Sequence, residues 1–218
     1  MLNTLTEQQV HIPAGGVTLE GDLVIPPKAR SAVLFSHGSG SGRHSPRNRY
    51  VAGVLQEAGI GTLLFDLLTR DEDTAYENRF NIDLLTDRLQ AATLWLRQQP
   101  QTKGMSLGYF GASTGTASAL RAAADLGKQI GAVVSRGGRP DMAWEALPRV
   151  QAPVLLIVGG NDSIVIDLNR RAYDMIKAEK HLEIVPGATH LFEEHGALEE
   201  VSRLATDWFK RHLLDAVR

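Results

Sequence analysis

The segment Gly111-Ala112-Ser113-Thr114-Gly115 sets a hydroxyl between two glycines, directly after the apolar run 105–110 and just before the small-residue run 116–126. A strand that ends in Gly-x-Ser-x-Gly and turns at once into a helix holds its serine on a tight, strained turn, with Oγ exposed at the helix N-terminus. A serine hydroxyl is a weak nucleophile near neutral pH. It needs a histidine to take its proton and a carboxylate to orient that histidine. Asp162 and His190 supply both, in the order serine, acid, base that strand–turn–helix nucleophiles use. Asp162 follows the apolar run 154–158 through Gly159-Gly160-Asn161, and His190 follows the run 181–185 through Pro186-Gly187-Ala188-Thr189. All three candidates therefore stand just past the carboxyl ends of expected strands. The chemistry this permits is attack of Ser113 on an acyl carbonyl.

Such attack also requires N–H donors for the developing oxyanion. One is the backbone amide of Thr114, the residue after the nucleophile. The other is expected from Ser36-His37-Gly38-Ser39-Gly40-Ser41-Gly42, after the apolar run 32–35, and the amide of Ser39 is the candidate. The same glycines superficially resemble a phosphate cradle, but they lack the spacing of a dinucleotide fingerprint and no Gly-Lys-Ser/Thr follows. Among the other histidines, His195 sits beside Glu193 and Glu194 where a last helix should begin, as a capping or surface residue. His37, just after the run 32–35, is a rival to His190 that could equally hold its own loop together, and Asp66, which precedes Ser113 in the chain, reads as a structural or loop-fixing carboxylate. No histidine pair has the spacing of metal ligands, so neither a metal nor another cofactor is expected.

The elements that must position these groups alternate along the chain. Residues 17–25 partly alternate apolar with polar and are expected to pair with the stretch around Val10 and Ile12 across Gly15-Gly16. The runs 32–35, 62–65, 107–110, 132–134 and 154–158 are apolar throughout, as parallel strands covered on both faces require, and 181–185 adds a last strand. Between them lie helical stripes: Val51, Val54, Leu55 and Ala58 after the cap Ser45-Pro46; Leu85, Leu89, Ala92 and Leu96; Leu168, Ala172, Met175 and Ile176, with Asp167 and Arg171 set for a surface pair; and Val201, Leu204, Ala205, Trp208 and Leu213. Strand–helix alternation of this kind makes a three-layer α/β sandwich with a mostly parallel twisted sheet, and ligands bind outside the carboxyl ends of its strands.

Composition narrows the partners. The chain has 218 residues, 43% hydrophobic and 22% charged, consistent with a single domain over residues 1–218. Its net charge of −2 gives no overall attraction to nucleic acid or to an anionic membrane. It has no cysteine, which excludes disulfides, thiolate metal sites and a cysteine nucleophile. No apolar run is long enough to span a bilayer, and residues 1–7 carry neither a basic segment nor a signal core, so a cytoplasmic location is expected.

With Ser113, Asp162 and His190, the His37-Gly38 loop and this strand order, the chain resembles the α/β-hydrolase superfamily, and its compact form resembles the dienelactone hydrolase-like branch, from about Val17 to Leu213. The resemblance implies a serine hydrolase that acts through an acyl-enzyme on a small ester, lactone or similar acyl compound. One departure matters: the name-giving lactone hydrolases use cysteine as nucleophile, and Ser113 stands in that place. This favours general esterase chemistry over dienelactone. Acyl transfer or amide cleavage by the same three residues, or a non-catalytic binding protein on this scaffold, remain open.

Two further features bear on the substrate. Only 137–152 separates the expected strands 132–134 and 154–158, enough for a turn and one short helix but not for a cap domain, so small substrates are favoured over long acyl chains. Arg43, Arg136 and Arg139 cluster in loops expected near Ser113, with His44 and Arg47, and they are candidates to hold an anionic group on the substrate. The alternative is that they pair with Asp66, Asp71, Glu72, Asp73 or Asp141 and only fix loops.

Overall fold

The structure, a computed structural model, describes residues 5–214. Eight strands form one sheet: β1 (Glu7–Ala14), β2 (Val17–Val24), β3 (Ser31–Ser36), β4 (Gly61–Phe65), β5 (Ser106–Ala112), β6 (Ala132–Arg136), β7 (Val154–Gly159) and β8 (Lys180–Val185). Their order is β1-β2-β4-β3-β5-β6-β7-β8. β1 and β2 pair antiparallel through Gly15 and Gly16, both at positive φ (55° and 88°), which matches the twist of a tight hairpin. β2 pairs antiparallel with β4, and all contacts from β4 to β8 are parallel. Every residue of β3, β4, β6 and β7 is buried, as the unbroken apolar runs require of strands covered on both sides.

Helices cover the two faces. α1 (Pro46–Glu57) begins at Ser45, whose Oγ accepts the Asn48 N–H, with Pro46 in the first turn. α2 (Arg70–Asp73) is one turn, closed by a reciprocal Thr69–Glu72 capping box. α3 (Ile82–Gln98), α4 (Gly115–Leu126), α5 (Ser163–Met175) and α6 (Ala197–Phe209) are the longer ones. Leu85, Leu89, Ala92 and Leu96 of α3 join the alanines of α4 and Ala172 and Ile176 beside them in one core; Val51 and Leu55 of α1 join Val201, Ala205 and Phe209 of α6 in the other. The α3 stripe is thus buried in full, Val54, Ala58, Leu168, Met175 and Leu204 of the other stripes are half-buried, and the sandwich has its three layers. No helix among the described residues is long and apolar enough to cross a membrane.

The differences from expectation are local. The stretch 137–152 is a kinked 3₁₀ segment, Pro140–Arg149, whose Ala143 leaves helical geometry at φ −139°. The surface pair on α5 is Asp167 with Arg170 at 3.6 Å, one residue short of the expected Arg171. The sheet changes winding direction at β3, because β4 lies on one side of it and β5 on the other. That reversal opens a crevice beyond the carboxyl ends of β3 and β5, where the chemistry-bearing loops meet.

Candidate active site

Ser113 leaves β5 at φ 51°, in the left-handed region that side chains other than glycine rarely enter. The flanking glycines explain how the turn is possible. A Cβ at Gly115 would stand 2.1 Å from the Ser36 carbonyl oxygen, and one at Gly111 would stand 2.6 Å from the Thr116 Cα. The turn is then pinned from both sides: the Ser113 N–H donates to the Arg136 carbonyl at 3.1 Å, and the Ser113 carbonyl accepts from the amides of Thr116 and Arg139.

Asp162 stands at the N-cap position of α5 with no side-chain capping bond, and His190 lies in the loop after β8. These two loops are tied together by Asn161, whose backbone N–H donates to the Ala188 carbonyl and whose side-chain amide donates to the Gly187 carbonyl, both at 2.9 Å. The result is a continuous chain of polar contacts. His190 Nδ1 lies 2.7 Å from Asp162 Oδ2, and His190 Nε2 lies 3.2 Å from Ser113 Oγ. With the proton on Nδ1 donated to the carboxylate, Nε2 is left to accept from the serine hydroxyl. The carboxylate is mostly covered at 17% exposure, whereas the imidazole side chain is 38% exposed and open to an incoming molecule. Three residues scattered along the chain are therefore brought together.

The oxyanion side differs from expectation. The Thr114 amide has no intramolecular acceptor among the described residues and is free to donate. The Ser39 amide, expected as the second donor, instead gives its proton to Thr114 Oγ1 at 2.8 Å. The Thr114 side chain thereby satisfies a donor that the glycine-rich loop would otherwise leave bare. Ser39 must release or share that bond before it can serve an oxyanion. His37 holds the base of this loop: its Nδ1–H donates to the Gly38 carbonyl and its Nε2 accepts the Leu67 N–H, both at 3.0 Å. Burial lowers its pKa below the ordinary value of 6.5, in keeping with a neutral ring that needs one donor and one acceptor nitrogen.

The three arginines separate. Arg43 is a correction: its guanidinium meets Glu20 at 2.6 Å and also Asp66, while its backbone N–H donates to Asp66 Oδ1 at 2.8 Å. Arg139 is a second correction, held bidentately by Asp141 at 2.8 and 2.7 Å. Both have carboxylate partners and fix loops. Arg136 does not. It lines a cavity of about 240 Å³ together with Ser113 and His190, and Asn48 and Arg47 of α1 line the same space. Asn48 was missed from the sequence; the Ser45-Pro46 cap, which sets it in the first turn of α1, was the available signal. His195 is exposed just before α6 and takes no part. No cluster of three His, Cys, Asp or Glu side chains able to hold a metal ion occurs among the described residues.

A parallel sheet with a reversal of winding, a serine on a strained strand–helix turn and a histidine–aspartate pair on neighbouring loops define the α/β-hydrolase class of fold. Residues 51–213 match the profile of the dienelactone hydrolase family, and the chain belongs to that family. A dienelactone hydrolase structure from Anabaena variabilis is 53% identical, superposes with a TM-score of 0.95 and is covered in full by 97% of this chain. Est1E from Butyrivibrio proteoclasticus shares the fold at 17% identity, with a TM-score of 0.80 over 94% of this chain and 98% of that one. A Mycobacterium tuberculosis protein whose name proposes a phosphoribosyl transferase is 56% identical over 209 residues. The match takes in 96% of this chain but 47% of that protein, so the chain spans about half the length of this relative.

Proposed function

We propose that this member of a hydrolase family is a serine hydrolase that cleaves small carboxylic esters or lactones through an acyl-enzyme. The observation that carries the proposal is the contact chain from Ser113 Oγ through the His190 imidazole to Asp162, at 3.2 and 2.7 Å. Ser113 Oγ attacks the acyl carbon while its proton passes to His190 Nε2, and Asp162 orients and stabilises the imidazolium that forms. The Thr114 amide donates to the oxyanion, joined by the Ser39 amide once that is released from Thr114 Oγ1. The C–O bond to the leaving group then breaks, and the leaving oxygen takes the proton from His190. Water attacks the acyl-enzyme and gives a proton to His190, which returns it to Ser113 Oγ as the acid departs.

The cavity of about 240 Å³ is below the size that usually holds a drug-sized ligand, which favours short acyl groups over long chains. The transferase in the name of the mycobacterial relative belongs to a protein of which this chain matches 47%, so it is not carried over to Ser113. The test is turnover of short-chain p-nitrophenyl esters by the wild type and by Ser113→Ala. The expected result is loss of at least about 10⁴-fold in kcat with the fold retained. Turnover near the wild-type level in Ser113→Ala would move the nucleophile elsewhere.

A further inference from the structure

β8 is the last strand of the sheet, and only β7 pairs with it. The Glu179 carbonyl accepts the Val154 N–H and the Val185 carbonyl accepts the Gly160 N–H, so the odd-numbered residues of this stretch turn their backbone groups toward β7. Backbone direction alternates along a strand. The N–H and C=O groups of Lys180, Leu182 and Ile184 therefore point out of the sheet, and none has a partner among the described residues. Free edges of this kind are normally blunted by a proline, a bulge or a projecting lysine. The opposite edge follows that rule, because β1 carries Pro13, which has no N–H to offer a further strand. β8 does not follow it. Its six residues pair with β7 without a bulge, and the lysine at its start is folded back. Lys180 Nζ donates to the Tyr173 and Ile176 carbonyls at the end of α5, 2.6 and 2.5 Å away, and lies 4.6 Å from the centre of the Tyr173 ring.

We propose that the β8 edge is an interface whose partner is a second copy of this chain, added antiparallel about a two-fold axis at Leu182 so that two eight-stranded sheets become one. The register carries the proposal. An axis at Leu182 sets that residue against its own copy, Lys180 opposite Ile184, and His181 opposite Glu183 on both sides of the axis. Residues 180, 182 and 184, which offer their backbone groups, form the hydrogen-bonded pairs of the new ladder. His181 and Glu183 fall between them, in the pairs where side chains stand closest across the seam. Their side chains, 56% and 39% exposed, touch each other at 2.8 Å within one chain, and the carboxylate has lone pairs left for a second imidazole N–H. The edge is thus complementary to itself. Moving the axis one residue either way sets His181 or Glu183 against its own copy, and like charges directly opposite are destabilising. The flanks are open as well. Clefts of about 400 and 390 Å³ lie beside the strand, the first with Arg203 and Asp207 of α6 and the second with Arg170 and Asp174 of α5, so each flanking helix brings both signs of charge to the seam.

The test is sedimentation velocity of the whole chain over about 1–200 μM, where a reversible monomer–dimer equilibrium is expected. A monomer throughout overturns the proposal. Leu182→Pro removes one outward N–H from each copy without taking a bond from β7, and should raise the dimer Kd at least about 100-fold. His181→Glu sets two carboxylates opposite each other in both pairs and should raise the Kd about tenfold or more. Glu183→Arg should also weaken the dimer, because it faces His181 with a second cation. An equimolar mixture of His181→Glu and Glu183→Arg then restores opposite charges in one pair and the native pair in the other, and should dimerise better than either variant alone. A mixture that gains nothing contradicts the two-fold register, and a dimer that no variant weakens lies on another surface and overturns the proposal. If Leu182→Pro does not fold, the charge variants, which change only side chains at the exposed edge, decide. Hydrogen exchange gives an independent reading: the amides of Leu182 and Ile184 should slow as the protein is concentrated, and equal exchange at both ends of the range contradicts pairing at this edge. None of these measurements uses turnover, so their outcome is independent of the hydrolase proposal.

Discussion

Arg43 and Arg136 carry the same functional group near the carboxyl ends of strands in one sheet, and their electrostatic surroundings are opposite. The Arg43 side chain, 13% exposed, is surrounded by Glu20, Asp66 and the more distant Asp22. Arg136, 8% exposed, meets no carboxylate among the described residues, only an asparagine oxygen and an aromatic ring. The first belongs to a clamp that also includes His37 and Asp66 and holds the β3–α1 loop against the β4 loop. The second belongs to the rim on which Ser113, Asp162 and His190 converge. A sequence can place a charge in a loop, but whether that charge is already neutralised by its own fold separates a clamp from a cation left without a carboxylate among the described residues.

The contrast predicts that rim substitutions abolish or redirect chemistry while the fold stands, and that clamp substitutions weaken the fold. The largest effect on the rim side is expected from Asp162→Asn. It would leave the contacts roughly in place but set His190 in the wrong tautomer, lowering kcat on a short-chain ester by about 10⁴-fold with little change in Tm; a loss below tenfold would mean that Asp162 does not orient the base. On the clamp side, Arg43→Ala strips Asp66 and Glu20 of their partner and should cost about 1–3 kcal/mol in urea unfolding, and no loss would break the distinction. His37 gives a smaller, pH-dependent effect. The folded chain keeps this ring neutral, whereas the unfolded chain protonates it below about 6.5. Stability is therefore fully present above that pH and falls as pH drops toward the depressed folded value, by up to about 1.4 kcal/mol per pH unit. His37→Asn should flatten the difference between melts at pH 7.5 and 5.5, and an equally steep fall in that variant would show that His37 does not carry it. The smallest effect belongs to Arg139→Ala. Its pair with Asp141 is partly exposed, and the change should cost about 1 kcal/mol or less while leaving turnover of a short-chain ester as it was.

The strands and long helices were legible because burial writes itself into the sequence at a fixed period, as the stripe Leu85, Leu89, Ala92, Leu96 shows. The placement of Ser113, Asp162 and His190 was legible because a glycine-bounded turn and two strand ends set their positions on the same rim, and the 3.2 and 2.7 Å contacts follow from that placement. Pairings between loops were not legible. Nothing local in Arg43 distinguishes it from Arg136, since the carboxylates that claim it come from β2 and from the end of β4, distant in sequence, whereas Asp141, only two residues after Arg139, was a partner the sequence did offer. The occupation of the Ser39 amide by Thr114 was hidden for the same reason, being a side-chain contact between residues 75 positions apart. The kink inside Pro140–Arg149 was likewise unreadable, because short 3₁₀ turns follow the packing around them more than any propensity of their own.

Covalent capture of the nucleophile tests the central claim most directly. The protein is incubated with a fluorophosphonate and digested, and the modified residue is located by mass spectrometry, with His190→Ala as the paired control. A single phosphonyl adduct on Ser113 in the wild type, and its near-complete loss in His190→Ala, is the predicted result. An unmodified Ser113, or labelling that is just as fast without the imidazole, would contradict the account.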